Sequence, residues 1–191
     1  MTELATGRLL LRQWREVDLE PFAALNRDAE VMRYFPAVLT KAQSDALAHS
    51  AHGSISQRGW GLWAVEHVSS GSFIGFVGLA DARFDAHFTP AVEVGWRLGR
   101  EYWGHGYATE AAGAALSFGF GQLGLGEIVS FTAAGNTRSQ RVMHRLGMTH
   151  DLAEDFDHPA VDGPLRRHVL FRISDEHWQR DSGRTLTGPS T

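Results

Sequence analysis

Two glycine-rich stretches are the first places in this chain where residue type and spacing could do chemistry. Gly119-Phe-Gly121-Gln-Leu-Gly124 satisfies G-x-G-x-x-G letter for letter. That pattern holds a dinucleotide pyrophosphate when it follows a strand and opens a helix. Here it ends a helical run and precedes a strand-like one, so it reads as a helix-to-strand turn. Trp103-Gly104-His105-Gly106-Tyr107-Ala108 fits nucleotide expressions less well, but it lies between a strand-like run and a helical one. Glycines without Cβ let a ligand oxygen approach the backbone, and the first N–H groups of the following helix point at it with the positive end of the helix dipole behind them. On this stretch alone, a main-chain pyrophosphate cradle and an ordinary strand-to-helix turn stand level.

A carboxylate candidate lies just upstream. In Ala91–Leu98 (AVEVGWRL), Glu93 alternates with Gly95 and Arg97 on one face, opposite Val92, Val94 and Trp96. One face is therefore wet and the other packed. Glu93 is a proton acceptor in a cleft, a salt-bridge partner of Arg97, or merely solvated.

Other chemistry is excluded by residue type. The chain has no cysteine, which removes disulfides, thiolate metal sites and a cysteine nucleophile, and is compatible with the cytoplasm. Its only lysine, Lys41, lies between Thr40 and Ala42, so no G-x-x-x-x-G-K-[ST] loop exists. The ten histidines show no H-E-x-x-H spacing, and His49 with His52 reads as a solvated helix face, so no metal is expected. Eighteen Lys plus Arg against twenty-two Asp plus Glu leave a net charge of −4, which provides no general field for nucleic acid. The N-terminal run Leu9 to Leu11 is short, with Glu3 where a signal peptide wants positive charge. No apolar stretch reaches membrane-spanning length.

The elements that must position these groups can be read in order. Arg8–Trp14 reads as a strand, with Asp18 capping a helix that turns Leu19, Phe22 and Leu25 inward. Thr40 caps a second helix through about Gln57, with Ala42, Ala46, Leu47 and Ile55 inward. Residues 60–67 and 73–84 form two strands joined at Ser69-Ser70-Gly71, followed by Ala91–Leu98. The alanine-rich segment after Gly106 predicts a helix slim enough to pack close to a sheet, and Glu127–Ala133 another strand. A helix over Thr137–Leu146, stopped by Gly147, and a strand over Arg167–Ile173 complete the pattern. The 43% hydrophobic content suffices for one core. This predicts one α/β domain over residues 1–178 and a disordered tail over 179–191.

The order of several weak motifs is more specific than any one of them. Thr6-Gly-Arg-Leu-Leu-Leu-Arg12, Trp103-Gly-His-Gly-Tyr-Ala-Thr-Glu110, Asn136-Thr-Arg-Ser139 and Arg145-Leu-Gly-Met148 together resemble the GCN5-related N-acetyltransferase (GNAT) superfamily. The branch most similar contains the ribosomal-protein serine and alanine N-terminal acetyltransferases, and the resemblance covers about residues 6–175. It implies a mixed, mostly antiparallel sheet flanked by about four helices and splayed open between Ala91–Leu98 and Glu127–Ala133, with acetyl-CoA in the gap. Main-chain groups near Trp96, Arg97 and Leu98 would bond the pantetheine arm. Trp103 and the amides of Gly104, His105, Gly106, Tyr107, Ala108 and Thr109 would hold the pyrophosphate, and Asn136 would hold the pantetheine from the other side. Glu101 stands where the superfamily often has Gln or Arg, leaving Arg100 as the nearby cation.

By the same resemblance, the chain would transfer acetyl directly to a primary amine, with Glu93 as base. Met143 occupies the position of the usual tyrosine acid, and Ser139, one turn after Asn136, would bind or protonate the thiolate. Arg138, Arg141 and Arg145 form a stripe that either reaches the CoA 3′-phosphate or is merely solvated. Trp60, Trp63 and Trp96 read as core or pocket wall. The acceptor, a peptide N-terminus or a small amine, would enter between residues 28–60 and 150–165, where Glu154, Asp155 and Asp157 either attract a cationic amine or form a solvated loop. A homodimer is compatible with the sequence. The competing class is an inactive acyl-CoA sensor, and a plain scaffold would bind no CoA.

Overall fold

Nine strands form a sheet in the order β1-β2-β3-β4-β5-β6-β9-β7, with β8 also paired to β9. In this computed structural model, which describes residues 2–186, the strands are β1 (Leu4–Ala5), β2 (Leu9–Arg12), β3 (Leu62–His67), β4 (Ser72–Ala82), β5 (Ala91–Leu98), β6 (Glu127–Ala133), β7 (Thr149–His150), β8 (Phe156–Asp157) and β9 (Arg167–Ser174). The helices are α1 (Leu19–Arg27), α2 (Lys41–Arg58), α3 (Tyr107–Gly121), α4 (Thr137–Arg145) and α5 (Asp175–Leu186). The α/β class and the mixed, mostly antiparallel sheet are as expected from sequence. Among the described residues there are five α-helices rather than about four. The expected tail is helical as far as Leu186, and residues 187–191 lie outside the described part.

One junction differs in kind. Every strand pairing is antiparallel except β5 with β6, which run parallel because α3 carries the chain back across the sheet. These two strands pair at one position, Glu93 with Val129. Just beyond it the Ser130 hydroxyl donates to the Val94 carbonyl at 2.9 Å, and the strands then diverge.

The slim helix explains how one sheet face is closed. Ala111, Ala112 and Ala115 of α3 are fully buried, and a Cβ on Gly119 would lie 2.6 Å from Ile128 Cδ1. Trp63, Val94 and Leu116 belong to the same core. The expected inward face of α2 is shifted. Ser44, Ala48, Ala51 and Ile55 are buried, whereas Ala42 and Ala46 are exposed, because the buried Asn26 Nδ2 donates to Ser44 Oγ at 2.9 Å and draws that side inward.

Asp18 does not cap α1 with its side chain. Its carboxylate instead accepts from Arg12 Nη1 and Nη2 at 2.7 and 2.9 Å and from the Arg15 amide at 2.7 Å, while Arg12 Nε donates to Glu66 at 2.7 Å. Both side chains of the Arg12–Asp18 pair are 2% exposed. Breaking such a pair strands a buried charge. Asp18→Ala should therefore cost about 3 kcal/mol in urea unfolding, the low end of the range for such breaks because Glu66 still partners Arg12. A loss below about 1 kcal/mol would contradict this account.

Candidate active site

The main-chain N–H groups of six consecutive residues, Gly104 through Thr109, have no acceptor among the described residues. The pairing resumes only at Glu110, whose amide reaches the Gly106 carbonyl. Gly104 and Gly106 adopt left-handed φ values of 81° and 82°, which turns successive amides toward a common concavity that favours an anion. A Cβ on Gly104 would meet nothing within 4 Å, so the approach to the backbone is open. The Thr109 hydroxyl is buried without a partner. The other glycine-rich stretch has no such geometry: it closes α3, with the Leu125 amide bonded to the Gly119 carbonyl at 3.1 Å.

A cation missed by the sequence reading stands beside this cradle. Arg8 Nη1 donates to the His105 carbonyl at 3.1 Å, and its Nη2 would lie 3.6 Å from a Cβ on Gly106. Glu110 fixes Arg8 through Nε and the main-chain amide, at 2.7 and 2.9 Å, and also accepts from Thr6 at 2.6 Å. Those partners hold the Glu110 carboxyl below its ordinary range, although its partial burial works the other way. The Arg8 guanidinium also covers the Tyr107 ring at 4.7 Å. Arg8 lies almost one hundred residues upstream of the loop, so no local motif could reveal it. Arg100 instead lines a groove of about 270 Å³ against α1 together with Glu101 and Asp28. Glu101 folds back toward Gly99, its Oε2 3.0 Å from a Cβ built there.

The diverging strands lead from this cradle into the sheet. Val94 spends its carbonyl on Ser130, on the β6 side, so strand alternation turns the N–H and C=O of Trp96 into the gap. The Leu98 carbonyl is taken by the Trp103 indole at 2.9 Å, which anchors the loop instead of serving a ligand. Arg138 stacks on the exposed side of Trp103 at 4.5 Å.

Across the gap, Asn136 is the N-cap of α4. Its Oδ1 accepts from the Ser139 amide at 3.3 Å, and its Nδ2 donates to Thr132 Oγ1 at 2.9 Å and Ser139 Oγ at 3.0 Å. The amide expected to reach outward is thus engaged within its own turn. As a consequence the Ser139 oxygen is occupied as an acceptor and its hydroxyl proton is left to point elsewhere. Met143 is 1% exposed and part of the core, so that position is sealed from the cleft.

Glu93 has no hydrogen-bond or ion-pair partner among the described residues. Burial alone pushes its carboxyl up to about 7. The alternative partner, Arg97, bonds instead to Asn26 Oδ1 and stacks over Phe35 at 4.1 Å. A Cβ on Gly95, between Glu93 and Arg97 on the same face, would meet nothing within 4 Å. Residues 28–40 thus reach this face through Phe35, and residues 150–165 through Phe156 and His158, which pack on Phe131. Phe84, expected at the end of a strand over 73–84 that stops at Ala82, joins that aromatic group with Phe88. The acidic connection is consumed locally: Glu154 pairs with Arg172, Asp155 with His150, and Asp157 with Arg166 and Arg167. Among the described residues no group of three or more His, Asp or Glu could hold a metal, and no helix is long and apolar enough to cross a membrane.

A parallel pair that parts beside a glycine-turned helix N-terminus leaves a cleft lined by main-chain donors and acceptors. The acetyltransferase (GNAT) domain family model matches residues 8–149, and the chain belongs to that family of acetyl-CoA-dependent N-acetyltransferases. Among curated relatives, YkkB of Bacillus subtilis is 31% identical over 77% of this chain and 85% of its own. An FsC-acetyl coenzyme A-N(2)-transacetylase of Aspergillus fumigatus is 28% identical over 96% of this chain and 81% of its own. A solved structure described as a putative ribosomal-protein-serine acetyltransferase from Vibrio cholerae superposes with a TM-score of 0.73 at 18% identity, covering 91% of this chain and 97% of that one.

The two glycine stretches can be separated experimentally. Gly106→Val should weaken acetyl-CoA binding at least about tenfold by calorimetry, since the side chain both strains φ and obstructs the backbone. Gly121→Ala should leave affinity unchanged. Equal affinities in the two variants would remove residues 104–109 from the site.

Proposed function

We propose that the chain transfers acetyl from acetyl-CoA directly to a primary amine, with Glu93 as general base and Ser139 as the hydrogen-bond donor to the departing thiolate. The observation carrying this reading is Glu93 itself: a carboxylate unpartnered among the described residues, at the one position where β5 pairs with β6, with its pKa raised to about 7. A base poised near the working pH combines availability with driving force. The cofactor pyrophosphate would lie on the amides of Gly104–Thr109, and its pantetheine arm along the Trp96 main chain.

The protons balance as follows. The ammonium gives one proton to Glu93, and its nitrogen lone pair forms a bond to the thioester carbon. The tetrahedral oxyanion is met by a main-chain N–H in the gap, for which Trp96 is placed. Collapse breaks the carbon–sulfur bond. The thiolate, whose conjugate acid has a pKa near about 8.5 by analogy with cysteine, leaves against the Ser139 hydroxyl and takes up the second proton, which the nitrogen loses as the amide forms, while Glu93 releases the first to solvent. Asn136 is then a positioning residue that aims Ser139. No acetyl-enzyme is formed on cysteine, because the chain has none.

The pH dependence follows from the sign of the shift. The base form of Glu93 accumulates above about 7, so kcat/KM should rise with pH through that value. Glu93→Gln should abolish this limb and lower kcat/KM by roughly 10²- to 10⁴-fold, with acetyl-CoA affinity retained. A variant that keeps both the rate and the limb would overturn the assignment.

Stability should move the other way. The folded-state pKa lies above the unfolded value of 4.5, so the folded protein binds the extra proton and loses stability as pH rises from 4.5 through 7. Glu93→Gln should therefore unfold later than wild type at pH 8, by on the order of 1–3 kcal/mol after discounting for its partial exposure. The gain should vanish near pH 4.

A further inference from the structure

Arg12 is buried in this fold and Arg97 half-buried, and they are treated differently. Arg12 lies against two carboxylates, Asp18 and Glu66. Arg97 has none. Its one intramolecular hydrogen bond runs from Nη1 to the neutral Oδ1 of Asn26, and its Nε is buried without an acceptor. The guanidinium is held in place nonetheless. Asn26 is fully buried and oriented by Ser44, and the Phe35 and Phe76 rings lie 4.1 and 5.3 Å from the cation. A withdrawn charge without a counter-charge is costly. The environment disfavours the cation, lowering its pKa to about 10 through burial.

The space next to Arg97 is open. Gly95 separates it from Glu93 on the same face of β5, and nothing lies within 4 Å of where a Gly95 side chain would begin. One end of this floor offers a base for an amine and the other a fixed, uncompensated cation. Of the neighbouring acidic side chains, Glu154 is paired with Arg172 and Asp157 with Arg166 and Arg167, and Asp155 bonds to His150. The face is therefore poorly suited to a polyamine. It suits an acceptor that brings one negative charge with its amine.

Resting on the transferase reading above, we infer that the acceptor is an amino-acid-type molecule, a primary amine carrying a carboxylate, and that the Arg97 guanidinium receives the carboxylate over the Gly95 floor. Guanidinium and carboxylate match as planar partners, and Arg97 Nη2, which has no partner among the described residues, can donate to the carboxylate, whereas Nε is sealed in the fold. The Asn26 side chain and the Phe35 and Phe76 rings already fix the side chain, so little freedom is lost when the acceptor binds.

The test is a set of matched acceptors assayed with the full chain and acetyl-CoA: L-phenylalanine against L-phenylalaninamide, 4-aminobutyrate against 4-aminobutyramide, and spermidine. Wild type should acetylate at least one acid with a kcat/KM ten or more times that of its amide, and spermidine poorly. In Arg97→Gln the acid-to-amide ratio should fall to about one, with part of it restored in Arg97→Lys. Should Arg97→Gln fail to fold, Gly95→Val covers the same floor and should raise KM for the acid at least fivefold while acetyl-CoA affinity holds. Amides or spermidine used as well as the acids, or an unchanged ratio in Arg97→Gln, would overturn the inference and leave the transferase reading intact. Acetyl-CoA binding without turnover of any acceptor would overturn both.

Discussion

The structure depends on two neighbouring strands that start to pair and then fail to. Between β5 and β6 the register contains a single partnership, Glu93 with Val129, followed by one side-chain bond from Ser130 to the Val94 carbonyl. Had pairing continued, the Trp96 main chain would be satisfied within the sheet. Because it stops, strand polar groups face a gap, and unsatisfied main-chain groups in a gap demand a partner. The antiparallel neighbours on either side, β4 and β9, pair over eight and seven positions respectively. They keep the opening rigid and local.

The same device recurs at the next turn. The six unpaired amides of Gly104–Thr109 are main-chain donors again, arranged by two left-handed glycines and oriented by the start of α3. Recognition through main-chain hydrogens asks little of side-chain identity, so Glu101 is compatible with the anion site proposed for this loop: it turns toward Gly99 and the groove against α1. Arg8 contributes from a distance, tied to the loop by Glu110, which also joins the β1–β2 edge to the helix start. In the proposed reading, side-chain chemistry is left to Glu93 on β5 and Ser139 on α4.

What the sequence disclosed, and what it concealed, divides along physical lines. The strand carrying Glu93, Gly95 and Arg97 was legible because alternation has period two, and the glycine loop because its context was strand, turn and helix. The slim helix α3 was legible from its alanines. Arg8 was hidden because its role arises from a contact across the fold. So were the internal commitment of the Asn136 amide and the buried Arg12–Asp18 pair that took Asp18 away from capping α1. The short strands β7 and β8 carry two residues each, too few to show any period. The helical stretch from Asp175 was concealed by a polar composition that resembles a tail. The Phe84 and Phe88 loop gave no periodic signal, and its aromatics are placed by packing on Phe131 and Phe156.

Backbone amide hydrogen exchange with and without acetyl-CoA tests the central claim most directly, because that claim concerns main-chain hydrogens. Added acetyl-CoA should slow exchange at Gly104 through Thr109 and at Trp96, and leave residues 119–124 as they were. Protection confined to other segments, with these seven amides exchanging as fast as in the free protein, would contradict the account.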